Sequence, residues 1–160
     1  SSANENVIEA NAAQEILKLE DVFYKPKDLS KSHFLEKVMV AVLTQHAMAM
    51  DSSYVDDLSI NLYRSKMFGN RIFGADALSY DIQKGRDHGL TSYTGYIKKC
   101  LNIKVSSWND LSFIVREDDL NRLRAIYGSV HDVDLIVGAL SEIPKENATI
   151  GPTFSCIISE

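Results

Sequence analysis

Apolar side chains return every three or four positions along most of this chain, and alternation of period two is nearly absent. That regularity restricts the fold to packed helices, because only a helix brings positions i, i+3 and i+4 onto one face. Val7, Ile8, Ala12, Ile16 and Leu19 mark an amphipathic helix over residues 6–19, and Pro26 breaks the chain after it. Phe34, Leu35, Val38, Met39, Val42 and Leu43 form a stripe over about 33–48, broad enough to predict a well-buried helix. "SSYVDD" predicts another helix, with Ser53 as N-cap and Asp56 three residues on, Val55, Leu58 and Leu62 inside, and Gly69 closing it. Helical stretches follow over about 75–84 and in "SYTGYIKKC". "REDDLNRLRAIYG" places acids in a first turn, Leu120, Leu123 and Tyr127 on one face, and Gly128 past the end. "HDVDLIVGAL" reads as a strand or a short helix on periodicity alone, and Pro152 suits the first position of a last helix. The expected class is all-α.

A length of 160 residues suits one compact domain, and 45% hydrophobic with 24% charged residues is the composition of a globular protein. A net charge of −5 argues against non-specific nucleic-acid binding, which needs basic surface. Val38–Leu43 is far too short to span a membrane. "SSANENV" has no basic stretch followed by an apolar one, so a signal peptide is either lacking or already removed. Cys100 and Cys156 are consistent with two free thiols or one bridge. Asn147, in "NAT", is a glycosylation acceptor only if the chain is secreted.

The stretch "DIQKGRDHGLTSY", residues 81–93, concentrates most of the chemistry. His33, His46, His88 and His131 form no zinc-ligand spacing, and no phosphate-binding loop is present. Ser79 and Ser92 near Asp87 and His88 do not make a hydrolase, because there is no G-x-S-x-G elbow. On residue chemistry alone, a buried Arg86–Asp87 pair with His88 satisfies helix ends at an interhelical turn.

"IQKGRDHGLTSY" also resembles the "IQRGRDHGLPSY" signature of the animal haem peroxidases, the myeloperoxidase–peroxinectin superfamily. "YIKKCLNI", "LRAIYGSVHDVDLIVGALSE" and "IGPTFSCIISE" resemble further motifs of that family in the same order. "LEDVFYKP" and "LTQHAMAMDSSYVDDLSINLY" fit more loosely. The resemblance covers residues 18–160, is closest to invertebrate members, and leaves residues 1–17 as an unmatched N-terminal helix. It implies a mostly helical fold and a secreted or vesicular setting. It also implies a Cys100–Cys156 disulfide, which makes glycosylation at Asn147 more credible, since both need an oxidising compartment.

The family's haem-ligating histidine lies in an "RFGH"-like stretch that this chain does not contain. The family's asparagine beside that histidine and its propionate-binding arginine fall at Asp81 and Lys84. Lys84 keeps the charge but not the planar fork, and Asp81 is expected near solvent or paired with Lys84. Arg86, Asp87 and His88 match the family and are expected to hold a turn together without catalysing anything. The resemblance thus predicts a truncated, secreted, peroxidase-like protein with no catalytic residues, no metal site and no cofactor of its own. It would bind an unknown protein or small molecule, or self-associate. The alternative is the C-terminal segment of a working haem peroxidase, with the rest of its site outside this chain. A third expectation is a vacated haem pocket walled by Tyr80, Ile82 and Phe73. Should the chain bind haemin, His33 and His46 are the first ligands to suspect.

Overall fold

The computed structural model describes residues 25–64 and 74–160. The expected helix over 6–19, Gly69 and Phe73 lie outside the described residues. The chain divides into two compact units, one holding residues 1–48 and 54–77, the other residues 49–53 and 78–160. Among the described residues every regular element is helical. Among these residues extended pairing is limited to isolated bridges between Leu62 and Ala75 and between Val115 and Glu142.

In the first unit, a 3-10 turn at Pro26–Ser30 precedes helix α1, Phe34–Thr44. His33 enters it at φ 58°, and its Nδ1 lies 2.6 Å from Glu36 Oε2. The apolar stripe does form one helix, but the expectation that it is well buried is corrected. Only Ala41 is buried, while Leu35, Met39, Val40, Val42 and Leu43 are exposed. A stripe records that a helix face favours an apolar neighbour; it does not say whether one is supplied. The next helix, α2, spans Asp56–Ser59 and is capped by Val55, not Ser53. Ser53 belongs to the segment 49–53 of the second unit, where Asp51 Oδ1 accepts a hydrogen bond from the Ser53 backbone N–H at 2.8 Å and makes an Asx turn.

The second unit contains the core. Helix α3, Ala77–Asp87, runs three residues past the expected end. It is followed by α4 (Tyr93–Leu101), a 3-10 turn at Trp108–Leu111, α5 (Glu117–Ile126), a 3-10 turn at Val130–Asp132, α6 (Leu135–Leu140) and α7 (Pro152–Ser159). The segment that periodicity left open is therefore helical. Tyr93, Ile97, Leu111, Val115, Leu120, Leu123, Val133 and Ala139 pack into one cluster. Asn102 ends α4 in the left-handed region at φ 56°, a conformation that asparagine tolerates.

Helices α4, α6 and α7 meet around a buried carboxylate. Glu142 is 2% exposed and accepts hydrogen bonds from Tyr93 Oη at 2.8 Å, from the Thr153 backbone N–H at 2.9 Å and from the Thr153 hydroxyl. One of the orphan N–H groups at the start of α7 is thereby satisfied by a residue 11 positions upstream. Burial, reinforced by the Glu142 charge and hydrogen bond, pushes the Tyr93 phenol far above its ordinary range. Gly138 on α6 lies directly against the Tyr93 ring, where a Cβ would collide with it. The Cys100–Cys156 disulfide joins α4 to α7, with Cα atoms 5.8 Å apart.

Candidate functional site

The quoted stretch forms the last turn of α3 and its exit. The Leu90 N–H donates to Gly85 C=O at 3.0 Å and the Gly89 N–H to Arg86 C=O at 3.1 Å, with Gly89 at φ +65°. These two bonds make a Schellman motif, in which Gly89 occupies the left-handed position and Leu90 closes over Gly85. The turn is thus a property of Gly89 and Leu90; Lys84, Arg86 and Asp87 stand on the helix before it.

The three residues expected to hold the turn have separate partners. Arg86 does not pair with Asp87. Its Nε and Nη2 donate to the two Asp134 carboxylate oxygens at 2.9 and 2.7 Å, a bidentate pair spanning 48 residues. Asp87 accepts from Gln83 Nε2 at 2.7 Å on an exposed helix face. His88 Nδ1 lies 2.8 Å from the Lys84 carbonyl, so Nδ1 carries the proton and Nε2 keeps its lone pair. The fork of Arg86 reaches across the core edge because the chain returns there just ahead of α6.

Asp134 is the residue that sequence reasoning missed. It also accepts from Tyr127 Oη at 2.8 Å, so three donors converge on one carboxylate. The Arg86 hydrogen bonds, with that of Tyr127, hold its carboxyl below the usual carboxylate range against the opposing effect of burial. Burial, together with the Asp134 hydrogen bond, pushes the Tyr127 phenol up to about 12. No local signal marks this contact, since all three residues lie far apart in sequence or on different elements.

Asp81 and Lys84 stand one turn apart on α3, with Nζ 3.5 Å from Oδ1. Lys84 is exposed and Asp81 half-buried. Both line a cleft of about 820 Å³ that lies wholly within the second unit. Its apolar wall is made by Ile82, Leu90, Val133, Leu135, Ile136 and Phe154, and its polar lining includes Arg86, His88, Ser92, Asp132 and Asp134. The expected wall of Tyr80, Ile82 and Phe73 is corrected at Tyr80, and Phe73 lies outside the described residues. Ile82 lines the cleft, but Tyr80 is 51% exposed and takes no part in it. Successive helical residues point in different directions, and position 80 turns outward where 81 and 82 turn in. His33 and His46 are both exposed in the first unit, and His131 Nδ1 is 3.2 Å from Thr94 Oγ1. Among the described residues no three His, Cys, Asp or Glu side chains cluster as metal ligands. No helix among the described residues is long and apolar enough to cross a membrane. Asn147 is exposed, in a turn, at φ 60°.

Comparison with known proteins gives a consistent result. The animal haem peroxidase family profile matches residues 2–160, a span that takes in positions 2–17, which no quoted motif reached. A peroxidase of Drosophila melanogaster is 33% identical over 90% of this chain, and the matched part is 20% of that protein. Peroxidase-like protein 3 of Lottia gigantea is 35% identical over 78% of the chain and 38% of its own length. Peroxidase A of Dictyostelium discoideum superposes on 92% of the chain with a TM-score of 0.75 at 27% identity, using 28% of that structure. The chain therefore spans about a fifth to two-fifths of the length of these two curated relatives.

Proposed function

Since the chain belongs to the animal haem peroxidase family, we propose that it serves as a secreted binding module that catalyses nothing by itself. The observation that carries this reading is the charge state of the cleft. The positions that the family resemblance assigns to haem, Asp81 and Lys84, are paired with each other. The remaining cation of the lining, Arg86, is held on both prongs by Asp134. Three carboxylates, of Asp81, Asp132 and Asp134, stand against those two cations. A haem brings two propionates, and this lining meets them with more carboxylates than cations and with its one guanidinium already held on both prongs, so the residues present do not fit haem as a ligand of this chain alone. An apolar wall with a few convergent polar groups suits a different small molecule.

Secretion is supported by the Cys100–Cys156 bridge, which persists in oxidising compartments, and by the exposed Asn147 sequon. Enzymatic deglycosylation of protein secreted from eukaryotic cells should lower its mass and convert Asn147 to aspartate.

Haemin titration of the purified chain tests the main reading. The expected result is no saturable Soret shift and no peroxide-dependent turnover. A saturable band with turnover would overturn it, and His33→Ala and His46→Ala would then be the first variants to examine. A second reading, that the chain is the C-terminal segment of a working peroxidase, is favoured by a family match that runs through the whole sequence. The mass of the native protein separates the two. A chain several times longer supports the segment reading, and one near 17.9 kDa supports the module.

A further inference from the structure

The geometry points to an arylalkyl amine as the ligand of the cleft between the end of α3 and the start of α6. This rests on the reading of the cleft as a binding site and adds the sign and shape of its occupant. Each cation of the lining stands beside a carboxylate of the same lining, Lys84 3.5 Å from Asp81 and Arg86 2.7 Å from Asp134. Asp132 is left over: its carboxylate meets no donor among the described residues, and it sits in the cleft lining. His88 adds a second acceptor in its neutral form, where Nδ1–H donates to the Lys84 carbonyl and Nε2 keeps its lone pair. Ser92, also in the lining, can accept through its hydroxyl oxygen.

An ammonium group supplies the donors and the charge that this acceptor set lacks. A carboxylate or phosphate would meet an excess of negative charge on the lining and on the chain, whose net charge is −5. The body of the ligand follows from the opposite wall. Ile136 and Leu135 offer aliphatic surface and Phe154 an aromatic face, which favours a flat ring on a short linker. A volume of about 820 Å³ accommodates such a molecule.

Three isosteric probes test this by calorimetry on the full chain: 2-phenylethylamine, 2-phenylethanol and phenylacetate. The expected order has the amine tightest and phenylacetate weakest. Asp132→Asn should weaken the amine about threefold to fivefold, as for an exposed charge pair, and leave the alcohol unchanged. Leu90→Ser, at a half-exposed position of the wall, should weaken all three without unfolding the chain. Binding of the alcohol or the acid at least as tight as that of the amine overturns the charge assignment while leaving the cleft a binding site. Amine affinity indifferent to Asp132→Asn also overturns it. Absence of binding by all three overturns both the assignment and the small-ligand reading beneath it.

Discussion

Asp134 shows how one carboxylate can organise a site that has no local signature. It ties the end of α3, through Arg86, to the exit of α5, through Tyr127. Asp134→Asn keeps the shape and removes the charge, and should cost about 1–2 kcal/mol at neutral pH in a denaturant titration. The pH dependence has a definite sign. The folded carboxyl titrates below its unfolded value, so between the two the unfolded state binds more protons and stability rises with pH. The gap between wild type and Asp134→Asn should therefore be full above the ordinary carboxylate range and close as pH falls through the depressed value. A gap that is constant with pH would show that the asparagine loses packing rather than charge. Arg86 was legible in the sequence as a paired residue, but its neighbour Asp87 was the wrong partner. On a helix, adjacent side chains diverge, and a guanidinium reaches the carboxylate that the fold brings to it.

At the scale of elements, the two glycines flanking the Arg86–Asp87–His88 triplet have different jobs. Gly89 sits at φ +65°, where a side chain is strained, so Gly89→Ala should destabilise by about 1 kcal/mol. Gly85 is helical, and a Cβ there meets only Leu90 Cδ1 at an ordinary 3.6 Å, so Gly85→Ala should be neutral or stabilise by up to about 1 kcal/mol. Paired thermal melts would check the contrast, and equal losses at both positions would contradict the Schellman assignment. Most helices of the second unit were legible from periodicity, because caps and breakers such as Ser92 and Pro152 bound their apolar faces. The end of α3 was not, since Gly85 reads as a stop and yet stands inside the helix. Burial of α1 was misread for a related reason: Leu35, Met39 and Leu43 register hydrophobicity, which is a property of the element, while burial belongs to its surroundings. The α3 side of the cleft was foreseen through Asp81, Ile82 and Lys84, but its other wall was not, because it comes from α6 and α7, more than 50 residues on from Ile82.

At the scale of the whole molecule, the all-α class, the family and the Cys100–Cys156 bridge agree between sequence and structure. The bridge closes a loop with a sequence separation of 56, which in the chain-entropy picture contributes about 4 kcal/mol. Cys100→Ser with Cys156→Ser should lower the melting temperature by many degrees, and a reductant should do the same to the wild type. An unchanged melt would place the stability of the second unit in its core cluster alone. The bridge has another consequence. The segment 143–149 is largely exposed and contains Lys145, an obvious point of attack for a trypsin-like protease. A cut there would sever the backbone between α6 and α7, yet the Cys100–Cys156 bond and the Glu142–Thr153 hydrogen bonds would keep the released peptide in place. The clipped protein would migrate as one species until its thiols were reduced. The second unit is in this sense built to survive a break in its own chain.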